Sequence, residues 1–341
     1  MDIRNRRAVR AAASEALVAN PGDPRMVVLI YVAISAVSAL LVSALVMVLD
    51  NQIANLGGLS NLGLRSVLST AQTVLPLAQT AALWGLHLGY RKSTLHMARC
   101  QAVQPQNLLE GFRRYGPLLR SILLRGGLYF LLAMGAAYAA SFLFMLTPLS
   151  ADFYTLVAPM VTDPDAFYTA LSTDQALTAQ VTQTLMPVIP MFVVVFLIVA
   201  APFFYQYRMT DYCILDNPGM GALAAMSESS RMMRFNRLHL LKLDLSFWWF
   251  YLAQAVAAAV LYGDVLLPLM GVTLPWSSTV SYYVFYVLSL VLEGVLYYFC
   301  MNRVETAYAT VYDGLRPTHQ PTQGGAVLGN IFDLAKEHQE D

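Results

Sequence analysis

Residues 26–49 read MVVLIYVAISAVSALLVSALVMVL, without a single charge. A helix of roughly 20 apolar residues crosses the ~30 Å hydrocarbon core of a bilayer. Five further stretches of comparable length and apolarity lie near 66–90, 117–146, 187–207, 243–267 and 279–301. Composition agrees: 57% of the 341 residues are hydrophobic and 12% are charged, against about 25% charged in a soluble domain. A water-soluble globular enzyme is excluded, because so few charges cannot cover its exterior. Bulk disorder is excluded as well, since it requires low hydrophobicity. The first stretch is too long for a signal-peptide core, and 25 mostly polar or small residues precede it.

Lys and Arg are retained on the cytoplasmic side of membrane proteins. With the N-terminus inside, 20 of the 21 Lys and Arg fall on the inner face, and only Arg65 falls outside. The 82 residues between Arg125 and Arg208 contain none. The expectation is an all-α, polytopic membrane protein: a six-helix transmembrane bundle with both termini inside (N-in/C-in) and short cytoplasmic interfacial amphipathic helices. It divides into an N-terminal amphipathic segment (1–25), a membrane domain (26–312) and a disordered cytoplasmic tail (313–341).

Each inner segment has an amphipathic stretch before a pair of spans, which suggests a threefold repeat. The stretches are 2–20, 107–116 and 218–235. In the second, Asn107 and Glu110 have capping-box spacing. In the third, Asp216 or Asn217 can cap and Pro218 suits the first helical position. Its expected apolar stripe is Leu223, Met226 and Met233. The outer loop 147–186 carries Asp152, Asp163, Asp165 and Asp174, and its aromatic residues suggest folding back on the membrane. Asp163-Pro164-Asp165 could offer oxygens to calcium, but a solvated acidic loop obeying the charge rule is the favoured reading. A short tail helix is expected near 330–338. Small residues four apart, Gly135/Ala139, Ala253/Ala257 and Ser35/Ala39, would let helices approach closely.

An ionisable side chain in hydrocarbon usually faces the bundle interior or a water path. Glu293 lies about 12 Å from the inner end of span six and shares a stripe with Tyr286 and Tyr297. Arg125 is placed at similar depth, and His87 lies near the inner surface. These residues form either an inner-leaflet polar pocket or a structural Glu293–Arg125 pair that fixes packing. Met226, Arg231, Met233, Arg234 and Arg237 form a candidate partner- or lipid-contact helix; docking against its own bundle or the headgroups is the alternative.

No HExxH, CxxC, GxSxG or Walker A pattern occurs, and the five histidines lack ligand spacing. No metal or cofactor is therefore expected. Cys100, Cys213 and Cys300 are too few for a disulfide framework. Balanced charge, 21 Lys+Arg against 21 Asp+Glu, gives no basis for nucleic acid as a partner. Asp211, Asp216 and Asp244 sit near the inner face without a regular spacing. No catalytic residue is assigned, and the expected class is not an enzyme.

Several motifs look familiar together: Asp216-Asn217-Pro218, Ala222-Leu223, Ser230-Arg231-Met232-Met233, Leu243-Asp244-Leu245-Ser246-Phe247 and Glu305-Thr306-Ala307-Tyr308. With Gly111-Phe112-Arg113-Arg114-Tyr115-Gly116, they resemble the bacterial integral membrane family called domain of unknown function 975. The resemblance covers most of the chain and implies a polytopic plasma-membrane protein without an assigned reaction. Trp248-Trp249 departs from the family pattern, where a glycine and a tryptophan are expected, and the outer loop is longer than usual. The functional expectation is a binding, transport-related or membrane-organising component. Its partners would be the phospholipid bilayer and a membrane or cytosolic protein at the inner helices. The alternatives are a permease subunit working with a cytosolic ATPase, for which 218–235 would be the coupling helix, and a lipid-modifying enzyme.

Overall fold

The computed structural model describes residues 5–56, 61–269, 272 and 275–316. The described residues are helical throughout, with no strand among them. In chain order the helices are α1 (Arg6–Val18), α2 (Pro24–Asn55), α3 (Leu62–Ala98), α4 (Glu110–Arg113), α5 (Tyr115–Met145), α6 (Leu149–Thr162), α7 (Pro164–Thr173) and α8 (Gln175–Leu185). They continue as α9 (Val188–Gln206), α10 (Thr210–Asp216), α11 (Ala222–Met233), α12 (Arg237–Ser246), α13 (Trp248–Leu261), α14 (Gly263–Leu269), α15 (Ser278–Leu296) and α16 (Asn302–Leu315). A 3₁₀ turn, Pro105–Leu109, leads into α4, and a π-helical turn, Tyr297–Met301, joins α15 to α16.

Four helical stretches are long and apolar enough to cross a membrane: Pro24–Asn55, Tyr115–Met145, Ala176–Asp216 and Val280–Leu315. A fifth is available if α12 and α13, bent by 66° at their junction, make one broken span. Six spans are therefore not confirmed. The sequence stretch 66–90 lies inside α3, which carries Gln72, Gln79 and His87 and is not among the four. The stretch 243–267 is interrupted at Phe247 and again at Tyr262. The expected tail helix near 330–338 lies outside the described residues, whereas Asp313, Gly314 and Leu315, assigned to the tail, still belong to α16.

Local chemistry sets the helix starts. Asp23 accepts from the backbone N–H of Arg25 and Met26 at 3.0 and 3.2 Å, with Pro24 in the first turn of α2. Asn5 caps α1 in the same way. In the 147–186 segment, Asp163 caps α7 and Asp174 caps α8. These two aspartates satisfy free N–H groups at helix starts, and the segment is three successive helices. The Asn107/Glu110 capping box does not form, because Asn107 bonds His96 at 3.1 Å. Nor does α11 begin at Pro218: its N-cap is Gly221, without a side-chain bond.

The most extensive helix pairings are α2 with α3, α5 with α9, and α13 with α15. Each pairing makes a helical hairpin, three in all among the described residues. Large apolar side chains stay exposed along them, such as Leu41, Leu131, Ile198 and Val291, as expected of surfaces that face lipid. The closely packed core gathers instead at one end of the hairpins. It is built from the last turns of α3, from α10 and α16, and from the short helices α1, α11 and α12. A satellite cluster of Val27, Tyr31, Tyr90 and Leu108 adjoins it.

Close approach in this end layer depends on glycine. A Cβ on Gly89 of α3 would lie 1.8 Å from the Leu108 carbonyl oxygen, and one on Gly111 would lie 2.1 Å from the Gly85 oxygen. The 105–113 segment therefore lies backbone-to-backbone on α3. Gly135, by contrast, has open space around it. The tight face of α5 is Ala136 and Ala140, one position beyond the expected Gly135/Ala139 pair.

Candidate functional site

The end layer encloses a network of charge. Asp211 on α10 is 3% exposed and stands between two arginines from different hairpins. Arg91 of α3 pairs with its Oδ2, and Arg125 of α5 reaches its Oδ1 at 2.5 Å. Arg125 also donates to the Ser121 carbonyl at 3.2 Å, which fixes its approach. Arg91 lies 3.9 Å from Glu305 on α16, and the Tyr212 hydroxyl donates to the same carboxylate at 3.2 Å.

A second centre lies further along α10. Arg99 grips Asp216 through two bonds of 2.7 and 3.0 Å and reaches Asp313 at 2.6 Å. The carboxylate bonds from Asp216, then Asp313, hold the Arg99 guanidinium above its ordinary range. Arg316 and Tyr312 complete the shell of Asp216 at 2.9 and 3.2 Å. A third centre surrounds Asp244 of α12, which accepts from Tyr205 at 2.8 Å and from Tyr308. Because Tyr308 gives its one proton to Asp244, the Tyr251 hydroxyl, 2.5 Å away, must donate to Tyr308. Arg208 stacks over the Tyr308 ring at 4.5 Å.

Five arginines (Arg91, Arg99, Arg125, Arg208, Arg316) thus accompany five carboxylates (Asp211, Asp216, Asp244, Glu305, Asp313). Their balance is what makes burial tolerable, since a buried charge left unpaired is strongly destabilising. The network draws on α3, on α5 and α10, and on α12 and α16, so all three hairpins are tied to it. Most of its groups pair with one another, although Arg91 Nε is buried without a hydrogen-bond partner, Glu305 standing 3.9 Å away. Among the described residues no group of three or more His, Cys, Asp or Glu side chains could hold a metal.

This arrangement separates Arg125 from the other residues of the sequence-derived pocket. The partner of Arg125 is Asp211, not Glu293, because α10 packs against α5 and delivers a carboxylate to it. Among the described residues no ion pair involves Glu293; it lies on α15 beside Tyr297, a turn further on. Tyr297 accepts from Gln254 at 3.3 Å, and Tyr286 donates to the Ala39 carbonyl at 3.2 Å. His87 meets the Tyr31 hydroxyl at 3.3 Å. Glu293, Tyr297 and His87 thus lie around Tyr31, while Arg125 and Tyr286 stand apart from them.

The contact-helix residues also part company. Met233 is fully buried in the core and presents no surface. The buried face of α11 is Ala222, Ala225, Ser229 and Met233, while Leu223 is 70% exposed. Small side chains bring α11 onto α10, and Ser229 Oγ bridges the Gln206 carbonyl and the Met209 N–H at 2.9 and 3.2 Å. Met226 is half-buried. Arg231 pairs locally with Glu228 at 2.8 Å, Arg234 sits over Phe235, and Arg237 donates to Gln206 at 2.8 Å.

Asp211, Asp216 and Asp244 have no regular spacing in the sequence. Their pattern is tertiary: each is met by cations or tyrosines more than 30 positions away. The available signal was the cluster of family motifs at 216–252 and 305–308, which holds three of the five carboxylates.

Exposed apolar hairpins gathered by a polar, charge-balanced end layer are the make-up of a helical membrane protein. The chain belongs to the family described as Protein of unknown function (DUF975), whose model matches residues 1–319. No curated protein and no solved structure gives a match.

Proposed function

We propose that this chain is a non-enzymatic scaffold of the bacterial plasma membrane, in which three helical hairpins are held by a rigid end layer at the cytoplasmic face. One observation carries the reading. The buried network centred on Asp211 uses its ionisable groups on one another and ties the hairpins together. Such an arrangement suits a component that binds or organises other membrane constituents. It suits an active site poorly, where a group with perturbed but available protons is needed.

The inner placement of the end layer, and both termini with it, rests on the charge bias of the sequence. The permease alternative loses support because the alanine face of α11 is turned into its own bundle through Ala222 and Ala225. The test is a purified full chain, extracted in gentle detergent, incubated with labelled phospholipid and with ATP. Neither substrate should turn over. Released lipid product would establish an enzyme instead, and a co-purifying nucleotide-hydrolysing subunit would establish the permease.

A further inference from the structure

Beside the charge-balanced network lies a cleft of about 360 Å³ whose charge is not balanced. Lys92, Arg113, Arg114 and Glu110 line it, together with Leu215 and Pro218. Three cations against one carboxylate leave it with an excess of positive charge. Two of the cations are fixed by backbone: Lys92 donates to the Leu215 carbonyl at 3.2 Å and Arg114 to the Pro218 carbonyl at 2.5 Å. An ammonium has three N–H donors and a guanidinium five, so each keeps donors free for a ligand. Arg113 is exposed and has no hydrogen bond or ion pair among the described residues.

We propose that this cleft binds the phosphodiester headgroup of an anionic phospholipid. Position supports lipid as the source. Lys92 follows the apolar part of α3 by a few residues, and Arg113 and Arg114 immediately precede α5, which is long and apolar enough to span. The cleft therefore sits where helices leave the hydrocarbon. Leu109 and Phe112, 61% and 43% exposed, interleave with Glu110 and Arg113 and offer apolar surface for the first acyl carbons. The phosphate is held by pre-placed cationic donors. Glu110 can accept from the hydroxyls of a glycerol headgroup, and the excess positive charge favours a lipid of net negative charge over a zwitterion. The proposal goes beyond the scaffold reading and depends on it only for a membrane setting. The turnover assay and the lipid-retention experiment below can fail independently.

The experiment is native mass spectrometry of the full chain released from nanodiscs of equal parts phosphatidylglycerol, phosphatidylethanolamine and phosphatidylcholine. Wild type should retain phosphatidylglycerol in preference to the other two. Arg113→Glu should lower that retention about tenfold, the loss of one charge-assisted bond. Arg113→Gln should lower it less, and both variants should melt like wild type in phosphatidylcholine alone. Arg7→Glu, the same charge change on an exposed residue of α1, should leave retention unchanged. Equal retention of the three lipids, or an equal effect of Arg7→Glu, would overturn the proposal in favour of diffuse surface attraction. Displacement of the lipid by millimolar inorganic phosphate alone would also overturn it and assign the cleft to a soluble phosphate.

Discussion

Asp211 is the residue on which the end layer turns. Replacing it by Asn leaves Arg125 buried without a counter-charge and Arg91 with only Glu305 at 3.9 Å, and breaking a buried pair typically costs about 3–5 kcal/mol. Thermal unfolding of the purified Asp211→Asn variant in detergent should show a loss of that order. Glu293→Gln should cost about 1 kcal/mol or less, the value of an ordinary hydrogen bond. The opposite ranking would restore Glu293 as the central charge. His96, beyond the apolar part of α3, gives a pH signature. Burial, then Lys92 and Arg99, holds its imidazolium down, against the opposing pull of Glu110 and Asp216, and its Nδ1 meets Asn107. A depressed native pKa means that the folded state resists protonation. The His96 contribution is intact above the unfolded pKa of about 6.5 and falls as the pH drops below it. Between pH 7.5 and 5.5 the wild type should lose more melting temperature than His96→Gln, and equal losses would remove His96 from the account.

Among the elements, the contact between α3 and the 105–113 segment is the least tolerant of added volume. The obstacle at Gly89 is the Leu108 backbone, which cannot rotate away. Gly89→Ala should destabilise by about 3 kcal/mol, the upper part of the overpacking range. It should also open the 99–109 stretch to protease, an outcome read directly by limited proteolysis. Gly135→Ala should fall within about 1 kcal/mol of wild type, on the stabilising side, because it removes a mid-helix glycine from open surroundings. The π-helical turn Tyr297–Met301 matters at the same scale. It re-phases the last helix so that Asn302 accepts from Tyr90 at 2.7 Å and donates to the Pro24 carbonyl at 2.9 Å. That pair of bonds ties the start of the first hairpin to the end of the third.

For the whole molecule, topology is the property to measure. In a background with Cys100, Cys213 and Cys300 replaced, Arg237→Cys should react with an impermeant thiol reagent only after cells are permeabilised. Asp163→Cys, at the start of α7, should react in intact cells. Reaction of the first in intact cells would reverse the membrane orientation and place the lipid cleft in the outer leaflet.

The sequence by itself determined the helical class, the membrane setting and the rough positions of the hairpins. Hydrophobic length and the Lys/Arg bias are local, additive quantities that need no knowledge of neighbours. It also carried the family, through motifs at 216–252 and 305–308 that hold Asp216, Asp244 and Glu305. Only the tertiary structure decided which charges meet. The sequence placed Arg125 at the depth of Glu293, yet depth along a helix does not fix the direction a side chain takes. Arg125 turns to α10, where Asp211 stands ready, and Glu293 stays among tyrosines on another face. The buried face of α11 keeps Met233 of the expected stripe but not Leu223. Ala225 and Ser229 go in beside Met233 where α11 meets α10, while Leu223 stays out. Close packing selects for small size there, and size complementarity is a property of two helices together.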